Sequence, residues 1–195
     1  MAKLNNPPRR QFNIDRRTRE YLTASEIEKL RQAAREQGRH PHRDDMLILI
    51  MFRHALRASE IACLKWEQVD LAEGIIHVTR LKNGNPSSHP LRGVEIRGLR
   101  KLAREYDNSI YVFVSERKAP LTTRSIHHII SRAGQHAELN LSVHPHMLRH
   151  STGFHLANKG TDTRSIQGYM GHANIKNTVI YTELSPNRYK QFWTD

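Results

Sequence analysis

Apolar positions recur at helical spacing over most of the chain, and the breaks in that period mark the elements. Thr23 and Glu26 form a capping-box pair ahead of a helix that runs to about Gln37, where Gly38 ends it. A strongly apolar helix follows from Arg43 to Ala55 around MLILIMF (46–52), then a short one from Ser59 to Leu64. The period then changes. GIIHVTRL (74–81) and SSHPLR (87–92) read as two strands joined across Lys82-Asn83-Gly84-Asn85, Asn-Gly being a strong hairpin signal. A helix is predicted at 93–106, and IYVFVS (110–115) as a third strand. Four more helices follow, at 123–137, 145–158, 163–170 and 174–183, with Gly160 and Gly171 where helix ends are expected. The first 22 residues, with NNPPRRQ and DRRTRE, read as a flexible basic arm. The expected fold is α+β and mainly α, one domain over 23–184 with a small three-stranded antiparallel sheet, followed by a tail at 185–195.

Charge adds a partner to this picture. Thirty-one Lys and Arg against nineteen Asp and Glu give +12 over 195 residues. An excess of that size points to nucleic acid, and less often to an anionic membrane or a merely solubilising surface. The single cysteine, Cys63, excludes an internal disulfide and a Cys-based zinc cluster; set in IACLKW, it reads as a core residue. No eighteen-residue apolar run and no signal-peptide pattern occurs, so a cytosolic protein is expected.

Candidate chemistry concentrates in VHPHMLRHSTGFHLANKGTDTRSIQGYMGH (143–172), which holds five histidines and two arginines. His146 and His150 share a helix face, as two zinc ligands could, but no Asp or Glu lies between 139 and 161 and nearby arginines would repel a dication. Phosphate suits the stretch better. His146 and Arg149 are neighbours at i and i+3; a guanidinium fits two phosphate oxygens, and a histidine can pass a proton. H-x-x-R alone is a weak signal.

Its companions strengthen it. HALRASEI (54–61) carries Arg57 with Glu60 one turn on, RLKNG (80–84) puts Lys82 at the hairpin tip, and YMGHANIKNTVIYT (169–182) carries His172 and Tyr181. The ordered set Arg57, Lys82, His146, Arg149, His172, Tyr181 resembles the catalytic signature of the tyrosine recombinases, the phage-integrase family. The likeness spans about residues 20–192 and is strongest to the short bacterial recombinases that invert fimbrial promoter elements. Two departures stand out. Only the basic arm precedes the catalytic region, where most relatives have a core-binding domain, and Ala55 replaces a common Gly.

The resemblance implies a tyrosine-recombinase catalytic domain, a helical bundle with a small sheet. It implies site-specific cleavage and rejoining of DNA through a 3′-phosphotyrosyl link, with no metal or other cofactor, in the service of promoter inversion and fimbrial phase variation. Tyr181 would be the nucleophile, favoured over Tyr169 and Tyr189; Arg57 and Arg149 would hold non-bridging oxygens, and Lys82 would protonate the leaving 5′-oxygen. His146 would accept or relay the tyrosine proton, His172 would hydrogen-bond the phosphate, and Glu60 would orient the site. Arg9, Arg10, Arg16, Arg17, Arg19, Arg80, Arg124, Arg132 and Lys176 are candidates for phosphate contacts, and Thr122–His128 for base reading. Expected partners are double-stranded DNA with inverted-repeat sites, further copies of the chain in a tetramer on paired sites though a monomer when free, and DNA-bending helper proteins. No membrane partner and a nucleoid-associated, cytoplasmic location are expected. The rival readings are a DNA-binding regulator of the same fold without strand exchange, and a topoisomerase-like enzyme that only relaxes DNA.

Overall fold

The computed structural model describes residues 19–81 and 84–183. Its elements, in order, are helices α1 (Ala24–Gln37), α2 (Pro41–His54) and α3 (Ala58–Ala62), then strands β1 (Val69–Asp70), β2 (Ile75–Val78) and β3 (Ser87–Pro90). Helices α4 (Gly93–Glu105), α5 (Thr123–His136), α6 (Pro145–Asn158), α7 (Thr163–Met170) and α8 (Lys176–Glu183) complete the fold. The predicted capping box forms: Glu26 N–H donates to Thr23 Oγ1 at 3.3 Å, and Thr23 N–H donates back to Glu26 Oε2 at 2.7 Å.

Helix α2 is the axis of the fold. Met46 to Met51 are all buried because α2 is covered by α1, α4 and α6 at once. Around it one large core gathers residues from Leu22 to Leu148, while a smaller cluster of Ala55, Phe154, Ala157, Ile166, Met170 and Tyr181 lies under the C-terminal helices. That second cluster encloses the proposed nucleophile.

The sheet has the antiparallel order β1-β2-β3, with Val69 opposite Ile76, Ile76 opposite His89, and Val78 opposite Ser87. Ile76 and Val78 face inward and His77 outward, as the two-residue period requires. The third strand is not where the sequence predicts it. Residues 110–115 are apolar and Val112, Phe113 and Val114 are fully buried, but they make only two single bridges, Lys65 to Tyr111 and Val114 to Pro120. Pro120 has no N–H with which to extend a ladder, and a buried apolar run reads alike as a strand or a packed loop. Cys63 also departs from expectation: it caps the end of α3 and is exposed. The helix of one and a half turns buries Ile61 and Ala62, and Cys63 faces away from them.

Helix α7 ends on Gly171 in a left-handed conformation, φ 65°. An added Cβ would lie 2.5 Å from the Asn85 carbonyl oxygen and 2.8 Å from Arg80 Nε. Gly171→Ala should therefore cost more than the ~1 kcal/mol of a left-handed alanine alone, and differential scanning calorimetry should register a clearly lower unfolding temperature.

Candidate active site

The site is assembled at three helix ends. Helix α2 stops at His54 and the chain turns through Ala55, which takes the left-handed conformation (φ 52°) that glycine would take at less cost. This turn aims the Ala55 carbonyl inward, where it accepts from Arg149 Nη1 and, at 3.0 Å, from Arg80 Nη1. Arg149 comes from the middle of α6 and also donates through Nη2 to the Met170 carbonyl, at 2.7 Å, at the end of α7. Its guanidinium is 2 % exposed and has its other N–H groups left to offer. Burial, together with the charges of Arg57 and Arg80, pulls its pKa down to about 9, so it remains a cation at neutral pH.

Arg57 is the N-cap of α3. Its backbone N–H donates to Glu60 Oε2 at 2.9 Å and its Nη1 to Glu60 Oε1 at 2.5 Å. Burial would raise the Glu60 carboxyl, but the Arg57 backbone N–H and the charges of Arg80 and Arg57 outweigh it and hold the group ionised below its usual range.

Arg80 stands elsewhere than the sequence predicts. It is not a surface contact for DNA: its side chain is buried, donating to Glu60 Oε2 at 3.0 Å and to the carbonyls of Ala55, His54 and Tyr169. It therefore pins the base of the hairpin to the same backbone turns that hold Arg149.

Tyr181 lies on α8 against α6, 2 % exposed. Its ring packs edge-on to Phe154 at 5.2 Å and lies directly over Gly153, where an added Cβ would come within 2.6 Å of it. The hydroxyl is 2.9 Å from His150 Nδ1. Burial pushes the phenol up to about 12 despite Arg149 and Arg57, so only on the order of one part in 10⁵ is phenolate at pH 7 and a base is required. Burial and the neighbouring His146 press His150 down to about 4, which keeps its ring neutral and able to accept the phenol's proton.

The ring that meets the Tyr181 hydroxyl is thus that of His150, which the sequence sets beside His146 on one helix face without giving it a role at the phosphate. His146 lies one turn earlier with an exposed edge, its ring centroid 4.4 Å from that of His150; partial desolvation and the charge of Arg149 lower its pKa. The signal for His150 was its place four residues after His146 on the same helix face, but only the packing of α8 on α6 identifies which of the two meets Tyr181. His172, delivered by the Gly171 turn, is buried with Nδ1 2.8 Å from Thr178 Oγ1. Burial and the Arg149 charge lower it to about 4. Thr178 thus occupies Nδ1, which leaves Nε2 as the other polar atom of the ring.

Arg124, Arg132 and Lys176 are exposed, Arg132 donating to the Gln37 carbonyl at 2.9 Å, while Arg19 pairs with Glu26. Arg124, His128, Arg132 and His136 recur every four residues and form a basic ridge along α5. His144 lies 3.3 Å from Glu20 and His155 packs edge-on to Phe52, both away from Tyr181's hydroxyl bond. Lys82, Arg9, Arg10, Arg16, Arg17 and the 185–195 tail lie outside the described residues. Among the described residues no three His, Cys, Asp or Glu side chains are grouped to hold a metal ion, and no helix is long and apolar enough to cross a membrane. None of the catalytic candidates lines the ~440 Å³ cavity between α1, α5 and residues 115–117.

Two measurements probe this geometry. Gly153→Ala should displace the Tyr181 ring and slow cleavage by about tenfold or more, with DNA affinity unchanged in a gel-shift titration. The second concerns acid stability. His89, His150 and His172 have folded pKa values of about 3, 4 and 4, below the unfolded value near 6.5, so the unfolded chain binds more protons between them. The stability they contribute is present above pH 6.5 and is lost as pH falls toward 4. Unfolding temperatures from pH 7.5 to 4.5 should fall steeply, and less steeply in His89→Gln.

A model of the phage integrase family matches residues 20–188. The type 1 fimbriae regulatory protein FimB of Escherichia coli K12 is 44% identical over 184 residues, which cover 92% of each chain. FimE of the same strain is 40% identical over 181 residues, 90% of this chain and 91% of that one. Among solved structures, XerA recombinase superposes with a TM-score of 0.78 at 28% identity, covering 90% of this chain and 65% of its own. XerH recombinase, bound to its difH substrate after cleavage, gives 0.75 at 23% identity over 88% of this chain and 52% of its own, a likeness of fold. The chain spans under two thirds of the length of these solved recombinases.

Proposed function

Because the chain belongs to the phage integrase family, whose members include the tyrosine recombinases, we propose that it is a site-specific DNA recombinase of the fimbrial-switch kind with Tyr181 as its nucleophile. The observation that carries the assignment is the hydrogen bond from the Tyr181 hydroxyl to neutral His150, whose chain neighbour Arg149 is a buried cation. Nucleophile, base and phosphate donor are held by one pair of packed helices.

In this reading His150 Nδ1 takes the phenolic proton as the Tyr181 oxygen attacks the scissile phosphorus. The bond from phosphorus to the 5′-oxygen breaks, and Lys82 supplies that oxygen's proton. Phosphorus is left esterified to Tyr181 on the 3′ side. The ester is conserved, so attack by a 5′-hydroxyl reverses the step and rejoins the strand. Arg57 and Arg149 bind the non-bridging oxygens, where charge accumulates, and His172 donates to one of them. His146 passes the proton on toward solvent, and Glu60 holds Arg57 in place.

The DNA partner carries inverted repeats, and inversion of the promoter segment between them switches fimbrial expression. Residues 23–184 form the catalytic domain. Arg124, Arg132 and Lys176, with Arg19 and the arginines of the 1–22 arm, track phosphates, and the start of α5 reads bases. Four copies act on two paired sites, the 185–195 tail passing between neighbours and helper proteins bending the DNA, in the cytoplasm at the nucleoid.

A nicked suicide substrate carrying the inverted repeats, incubated in EDTA, should give a covalent protein–DNA adduct on denaturing gels. Tyr181→Phe should abolish it, and His150→Leu should slow its formation by about 10²–10⁴-fold. A strict requirement for metal, or an adduct that survives Tyr181→Phe, would overturn the assignment.

A further inference from the structure

A buried polar chain behind the site has no role in the reaction just described. It starts at Ser87, where β3 begins. Ser87 Oγ is 2.9 Å from His89 Nε2, His89 Nδ1 is 3.2 Å from His54 Nδ1, and His54 Nε2 is 2.9 Å from Glu95 Oε1. His54, His89 and Glu95 are each no more than 1 % exposed. Glu95 is ionised: burial would raise its carboxyl, but the bond from His54, the Arg92 backbone N–H and Arg53 outweigh it.

With Glu95 ionised, these three contacts join Ser87, His89, His54 and Glu95 into one buried run of polar groups. His89 is bonded through both ring nitrogens, Nε2 to Ser87 Oγ and Nδ1 to His54, and the ionised Glu95 accepts from His54 Nε2. Burial lowers the His89 pKa to about 3, so its ring is uncharged at neutral pH.

The location of His89 is what connects the chain to catalysis. It occupies an inward position of β3, opposite Ile76, where the strand pattern calls for an apolar side chain. There its ring stacks on Tyr169 (3.8 Å, 11°) on one side and meets His54 on the other. His54 directly precedes Ala55, whose carbonyl accepts Arg149 and Arg80, and Tyr169 directly precedes Met170, whose carbonyl accepts the second Arg149 bond. The Tyr169 hydroxyl closes the frame by donating to the Arg53 carbonyl at 2.7 Å.

We propose that His89 is a positioning residue: wedged between His54 and Tyr169 and oriented by Ser87 and Glu95, it sets the spacing of the two carbonyls that aim Arg149 at the scissile phosphate. An apolar side chain of equal size would fill the gap without fixing the turn that ends at Ala55. The proposal rests on the reading of Arg149 as a phosphate ligand.

His89→Phe keeps the volume and the stack on Tyr169 but deletes both hydrogen bonds. At saturating protein its adduct formation on the suicide substrate should be about 10- to 100-fold slower, with the DNA dissociation constant within about twofold of the parent. His89→Gln, which can both donate and accept, should recover most of the rate. The decisive arm replaces the scissile phosphate with an uncharged methylphosphonate, which leaves Arg149 no anion to neutralise. Arg149→Ala is the benchmark, and both its deficit and that of His89→Phe should shrink to within a few-fold. Should Arg149→Ala stay equally defective there, the phosphate reading of Arg149 fails and the proposal falls with it. Relief of Arg149→Ala but not of His89→Phe, or a parental rate for His89→Phe on ordinary DNA, overturns the proposal alone. If His89→Phe does not fold, Ser87→Ala provides the test: a several-fold slower rate relieved by methylphosphonate supports the role, and an unchanged rate refutes it.

Discussion

A guanidinium removed from water and given no carboxylate of its own is costly, and much of this fold is arranged around one such group. Arg149 is almost fully buried, and its two bonds go to backbone carbonyls, of Ala55 and Met170. Carbonyl dipoles offset part of the desolvation without neutralising the charge. The one carboxylate within reach, Glu60, is occupied by Arg57 and Arg80. Three cations therefore share one anion, which leaves a surplus of positive charge at the site. The left-handed Ala55 turn, the Gly171 turn and the burial of Arg80 all serve to bring carbonyls, rather than acids, to that cation.

The same surplus governs the titration of the site. Histidines beside it are held neutral by burial and by the arginines, and neutral imidazoles are what proton acceptance and hydrogen-bond donation demand. Tyr181 feels two opposing influences, and burial exceeds the pull of the arginines. Its hydroxyl therefore stays protonated in the free protein, and the base next to it matters more than its intrinsic acidity.

Much of this was legible in the sequence, for local reasons. The capping box at Thr23, the period of α5 and α6, and the glycine ending α7 are short-range signals, and the helices begin and end close to where those signals stand. The types and order of Arg57, His146, Arg149, His172 and Tyr181 were legible as well. What was not legible depends on contacts between distant segments. Arg80 reads as one more cation in a basic chain, because the four acceptors that bury it come from residues 54 to 169. His150 meets a tyrosine 31 positions away. His89 is polar where its strand calls for an apolar residue, and such local inconsistency is a mark of positions with work beyond packing.

The seat of Tyr181 on Gly153 and Phe154 ties its position to the packing of two helices. Tyr181 is carried by α8 onto α6 of the same chain, next to Arg149 and His150. The ring contacts of Tyr181 and its bond to His150 are thus made within one polypeptide. Whatever shifts α8 on α6 therefore shifts the ring and its hydroxyl bond together.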